Sequence, residues 1–230
     1  MTTRLTWRTR WKAARASLAA LVTAAGMSGC MVAPLIGGMA ESAHRAGSTN
    51  VPAQYRGLQG KSFAVVVIAD RSVQADFPGI VPTLMERITA RLADPANGVG
   101  ATHYVPASQA LPFLNSDPTW TAWEPSRLMA ELGVDRLVRV ELIEYRVREP
   151  GNPYQWNGLG WGALTVYEAD SNNPDFEVFR REIRVQFPDS EGQGVHGVSG
   201  TLVASALVKR FVDRATWLFY DHKEPNVITY

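Results

Sequence analysis

The 230-residue sequence predicts an α/β fold: a single mixed sheet, element order β-α-β-α-β-β-β-α, with helices packed on it. Three observations carry this. The run Phe63-Ala64-Val65-Val66-Val67-Ile68-Ala69 is continuous and β-branched, as suits a central strand buried on both faces. Residues 177–187 instead alternate, with Phe179, Ile183, Val185 and Phe187 inward and Arg180, Glu182, Arg184 and Gln186 outward. Such a strand has one solvated face and antiparallel neighbours. Around these two lie segments with apolar residues at helical spacing.

Taken in order, the domain opens at Lys61 and the first strand ends at Asp70-Arg71. A loop leads to a helix over 80–93, where Val81, Leu84, Met85, Ile88 and Leu92 share a face and Pro82 suits a first turn. The segment 94–98, Asp-Pro-Ala-Asn-Gly, stops it, and a short strand follows near His103-Tyr104-Val105. A second helix begins around Pro125-Ser126, buries Leu128, Met129 and Leu132, and ends at Gly133 as its cap. Residues 136–148 form a long strand whose apolar set changes face, from Val138, Val140 and Leu142 to Ile143, Tyr145 and Val147, which calls for a bulge near Leu142. Residues 162–169 and 177–187 complete a meander through the turn at 171–175. The last helix covers about 200–220, capped by Ser199, with Leu202, Val203, Ala206, Leu207, Phe211 and Leu218 at core spacing.

Ahead of this domain the chain changes character. Residues 1–15 carry Arg4, Arg8, Arg10, Lys12 and Arg15 and no acid, and residues 16–27 are uncharged and mostly apolar. A basic segment, a short apolar run and small residues at its end are the layout of an export signal, and the run is too short to span a bilayer as a helix. Met27-Ser28-Gly29-Cys30 resembles the lipobox of bacterial lipoproteins, with Met27 where that family usually has Leu. The resemblance implies cleavage between Gly29 and Cys30 and acylation of Cys30, giving a lipid bilayer as the first partner. Cys30 is the sole cysteine, and two or more acyl chains anchor a protein stably. Met31 after it leans towards the outer membrane, facing the periplasm. The expected divisions are thus 1–29 signal peptide, 30–60 lipidated Cys and tether, 61–222 α/β domain and 223–230 tail. Residues 31–60 read equally as a tether with a membrane-proximal apolar patch or as a plain linker.

Composition bounds the function. From Cys30 onward the chain holds 18 Lys and Arg against 22 Asp and Glu, a net charge of −4, which is no footprint for nucleic acid. With Cys30 acylated, no disulfide and no thiolate metal site can form. His44, His103, His196 and His222 stand isolated, without metal-ligand spacing, so neither a metal nor a cofactor is expected. Gly192-Gln193-Gly194-Val195-His196-Gly197 matches GxGxxG, but it follows an amphipathic strand with no further strand after it, so it reads as a hinge. Gly197-Val198-Ser199-Gly200 is a helix cap and falls short of a nucleophile elbow. Asp70 and Asp76 could pair after the first strand, or simply cap its end.

Loop aromatics carry more. Trp120 and Trp123 flank the second helix, and Tyr154, Trp156 and Trp161 sit in a Gly-rich hairpin expected to project from the sheet. Exposed Trp and Tyr are enriched at binding hot spots, which makes these three the candidate partner-binding residues; alternatively the rings fold back as a lid. The lipobox, the Lys61-Ser62-Phe63-Ala64-Val65-Val66-Val67 strand and the passage Leu132-Gly133-Val134-Asp135-Arg136-Leu137-Val138 resemble envelope lipoproteins with a TolB-amino-terminal-like domain, such as penicillin-binding-protein activators and the curli-secretion class. That resemblance implies a non-enzymatic module binding another envelope protein, in assembly or regulation of an envelope or secretion complex. The alternatives are a periplasmic hydrolase using Asp70, Asp76 or His103, and a small-ligand carrier.

Overall fold

The computed structural model of the chain describes residues 47–189 and 199–225. The signal peptide, Cys30, His44 and the GxGxxG run with His196 lie outside the described residues. The elements are β1 (Ser48–Val51), β2 (Ser62–Ala69), α1 (Arg71–Asp76), α2 (Ile80–Ala93), β3 (His103–Tyr104), α3 (Ala107–Ser116), α4 (Pro125–Leu132), β4 (Arg136–Arg146), β5 (Gly158–Glu168), β6 (Phe179–Phe187), α5 (Gly200–Thr216) and β7 (His222–Pro225). The chain divides into two compact units, one of which is Asn50–His222. Of the described residues of the other, 48–49 and 223–225 belong to β1 and β7, which pair as a two-stranded sheet. Lys223–Pro225, expected as tail, therefore form strand.

The main sheet has five strands in the order β3-β2-β4-β5-β6. β2 runs parallel to β3 and β4, and β4, β5 and β6 form an antiparallel meander. A mixed sheet is what the sequence predicts, but it is not the single sheet of that reading, because β1 and β7 form a second, two-stranded one and the element order is longer than expected. Central placement explains the composition of β2, where Phe63 through Val67 are all buried. Helix α2 buries Ile80, Leu84, Met85, Ile88 and Leu92 and packs on β2, while α5 packs on β5 and β6 and against α2. At the end of α4, Gly133 takes the left-handed conformation (φ 66°), and the Gly133 and Val134 amides donate to the carbonyls of Ala130 and Met129. Asp135 then ties the start of β4 to the start of β2: its carboxylate accepts from the Ser62 amide at 2.9 Å and hydroxyl at 2.7 Å.

The register of β4 against β5 shifts between Leu142 and Glu144, so the expected bulge is present. Its extra residue is Ile143, which is 45% exposed, whereas Tyr145 beyond it turns inward at 5%. Ile143 is thus not a core residue; it absorbs the face change. Leu202, also expected inside, is 54% exposed on the first turn of α5, and that helix ends at Thr216. Two helices were not predicted. α1 spans six residues and buries only Val73, too short for a helical period to show; α3 does carry one, with Ala107, Ala110, Leu111 and Leu114 on a face, but an internal Pro112 speaks against a helix there. β5 starts at Gly158, four residues before its predicted start.

Candidate functional site

The early start of β5 changes the reading of the Gly-rich hairpin. Gly158 and Gly160 lie in the strand, and a methyl group on Gly158 would stand 2.7 Å from Leu207 Cδ1 on α5 and 2.7 Å from the Phe187 carbonyl oxygen. The glycines form a shallow strip against which α5 seats. The three aromatic residues do not share a surface. Tyr154 is 77% exposed at the tip of the β4–β5 connection. Trp156 is 6% exposed, its ring filling the space beside Gly200 with the Arg148 guanidinium 4.2 Å from the ring centroid. Trp161 is half-buried on β5, opposite Glu144 and Arg184 in register. A projecting hairpin with three rings on display is therefore corrected to one exposed tyrosine and two rings held by the fold. Trp120 and Trp123 are half-buried too, with Trp123 between Arg127 and Phe113.

The candidate acids separate as well. Asp70 is the N-cap of α1, accepting from the Ser72 amide at 2.9 Å and hydroxyl at 2.8 Å; these bonds hold its carboxyl below the usual carboxylate range. Asp76 closes the same six-residue helix, about 9 Å along its axis at 1.5 Å per residue. The two do not form a shared-proton pair. His103 is exposed on the short edge strand β3, beside the Tyr104 ring. Among the described residues, no group of three or more His, Cys, Asp or Glu could hold a metal ion.

What the structure does assemble is a cleft of about 360 Å³ between the α1–α2 turn, the first two turns of α2, β4 and α5. Phe77, Pro78, Ile80, Tyr145, Ala204 and Val208 give it apolar walls, and Asp76, Thr83, Arg87 and Ser205 supply the polar groups. Tyr145 reaches it because the bulge turned β4 over. Its ring meets Phe77 edge-on at 4.8 Å and its hydroxyl donates to the Ala204 carbonyl at 2.8 Å, which bolts β4 to α5. Burial pushes the Tyr145 hydroxyl's ionisation above its ordinary value, and the charge of Arg87 pulls it back in part.

A second hollow of about 300 Å³ continues between α2 and α5, lined by Arg87, Ala90, Arg91, Asp94, Lys209 and Val212. Beneath it lies Asp213, whose side chain is 4% exposed and which takes Arg91 at 3.1 Å and Lys209 at 3.0 Å. Arg87 borders both hollows and forms no ion pair among the described residues. The groove can thus accept an apolar group in the Tyr145 cleft and a negative charge at Arg87. Sequence reasoning missed Arg87 because it reads as one more polar position on an amphipathic helix. Tyr145 was legible as inward, but not as part of a cleft.

No protein-family model matches the chain, and no curated protein does. Among solved structures it is similar to lipoprotein GNA1162 from Neisseria meningitidis, at 14% identity and a TM-score of 0.42, covering 66% of this chain and 96% of that one. It is similar to a PelC dodecamer from Paraburkholderia phytofirmans at 11% identity and a TM-score of 0.40, covering 76% and 99%. Protein XCC0632 from Xanthomonas campestris matches at 11% identity and a TM-score of 0.39, covering 74% and 90%.

Proposed function

We propose that this chain is a lipid-anchored protein of the bacterial cell envelope, tethered through Cys30 at the outer membrane on the periplasmic side, whose α/β domain binds another envelope protein and catalyses nothing itself. The observation that carries the binding role is the apolar cleft beside Tyr145 with Arg87 at its rim, a cation without an ion pair among the described residues. An apolar wall with one convergent charge suits an exposed apolar side chain of a partner with an acidic neighbour. Asp70 is committed to capping α1, which argues against its service as a catalytic base. A cleft of this volume also lies at the small end of ligand sites, so a small amphipathic acid is the second reading.

Two experiments test the proposal. Cys30→Ala in the full chain should move the protein from the membrane pellet to the soluble fraction; retention in the pellet would remove the anchor. For the cleft, a photo-crosslinking residue replaces Ser205, which is exposed on its wall. It should yield a protein adduct in intact cells that Arg87→Glu abolishes, while the same probe at exposed Glu131 on α4 gives no such adduct. Equal labelling from both positions, or no effect of Arg87→Glu, refutes the cleft as the docking site.

A further inference from the structure

Among the described residues β6 is an outer strand of the main sheet, nine residues long, whereas the opposite edge strand β3 has only two. Long open edges attract further strands, and proteins usually guard them with Pro, like-charged side chains (Lys above all), bulges or short length; β6 carries charges of both signs, Arg180, Arg181, Glu182 and Arg184. Phe179–Phe187 contains no Pro, Gly or Lys, and its register with β5 is unbroken from Gly158↔Phe187 to Val166↔Phe179. The Gln186 carbonyl accepts from Arg210 Nη1, so it points away from β5. Because N–H and C=O groups alternate between the two edges of an antiparallel strand, Arg180, Glu182, Arg184 and Gln186 present theirs outward.

The side chains of these four residues are exposed, and neither Glu182 nor Arg184 has an ion pair among the described residues. We propose that β6 is a self-association edge, on which two copies of this chain pair antiparallel about a two-fold axis at Ile183 and join two five-stranded sheets into one continuous sheet. This register sets Glu182 of each copy opposite Arg184 of the other, and Arg180 opposite Gln186. It runs over all nine residues of the strand, with the Gln186 carbonyl shared between Arg210 Nη1 and the second copy. Moving the axis to Glu182 sets Glu182 against itself and Arg180 against Arg184, and moving it to Arg184 or Arg181 sets two arginines face to face. An axis at Val185 opposes no like charges but pairs only residues 183–187; since like charges directly opposite are destabilising and opposite charges stabilising, charge order and strand length together select the axis at Ile183. The occupant is therefore a second copy, and tethering to a surface raises its effective concentration.

Charge reversal tests this on the purified full chain in detergent, by sedimentation velocity over tens of micromolar. The wild type should dimerise. Glu182→Arg and Arg184→Glu should each weaken self-association about 30-fold, since each disturbs two symmetry-related pairs. An equimolar mixture of the two variants should associate as the wild type does, because positions 182 and 184 are then both positive in one copy and both negative in the other. The double reversal should also dimerise. A wild type that stays monomeric overturns the proposal, as do single variants that dimerise unchanged or a mixture that fails to associate. The mixture doubles as the folding control, since only intact edges can pair.

Discussion

Replacing Trp156 by Ala measures whether this ring belongs to the fold or to an exposed surface. It is 6% exposed, wedged against Gly200 at the start of α5, with Arg148 across its face. A Trp buries roughly 200 Å², and at about 25 cal/mol per Å² its burial contributes about 5 kcal/mol. Alanine keeps the Cβ and the surroundings collapse in part, which brings large aromatic truncations to about 3–5 kcal/mol. The contact with Arg148 adds about 0.5–1 kcal/mol. The expected loss is therefore about 4 kcal/mol, or a fall in Tm of about 8–16 °C for a domain of this size. Urea unfolding followed by far-ultraviolet circular dichroism reads it without interference from the other six tryptophans. Tyr154→Ala, at a 77% exposed position four residues before the start of β5, should stay within about 0.5 kcal/mol of the wild type. A loss below about 1 kcal/mol for Trp156→Ala, or an equal loss at Tyr154, refutes the assignment of Trp156 to the core. The contrast also governs how partner binding is probed, because a Trp156 variant that loses a partner has first lost stability.

Two further outcomes follow from the same packing. Gly158→Ala puts a methyl 2.7 Å from a backbone carbonyl that cannot yield and should cost about 1–3 kcal/mol, whereas Gly79→Ala, with open space at its Cβ, should cost far less; thermal melts of the two variants decide it. Hydrogen bonds from Ser62 hold the Asp135 carboxyl below its ordinary value of 3.8, so this carboxylate contributes stability above that value and loses it as pH falls through the lower folded value. Asp135→Asn should flatten the decline of stability below about pH 4 and leave the neutral-to-alkaline limb unchanged in slope, as read from urea midpoints against pH.

The main sheet was legible because its strands carry opposite signatures. β2 is apolar at every position from Phe63 to Val67, which only a strand covered on both faces tolerates, and β6 alternates, which only a strand with one wet face requires. The β4 bulge was legible for the same reason: a period-two pattern that slips by one residue needs an extra residue, and Ile143 supplies it. What escaped was short or compensated. α1 depends on the Asp70 cap and one buried Val73, and α3 has its inward face interrupted by Pro112, so tertiary contact decides both.

The candidate site escaped for a different reason, and it shows where such readings need coordinates. Gly158 and Gly160 are compatible with two opposite environments: a pliant exposed turn, or a strip so crowded that no side chain fits. Local sequence does not separate them, because the crowding comes from Leu207 and Val203, about 45 residues downstream on α5. The same long-range contact buries Trp156 and, by seating α5 beside α2, opens the cleft in which Tyr145 and Arg87 meet residues 204–208. One packing event therefore removes Trp156 from the surface and creates the groove elsewhere, while Trp161, in register with exposed Arg184, is half-buried on the other face of β5. If α5 were displaced from the glycine strip, as by Gly158→Ala, both effects should reverse together: Trp156 would become accessible to solvent quenchers, and the Ser205 adduct would be lost.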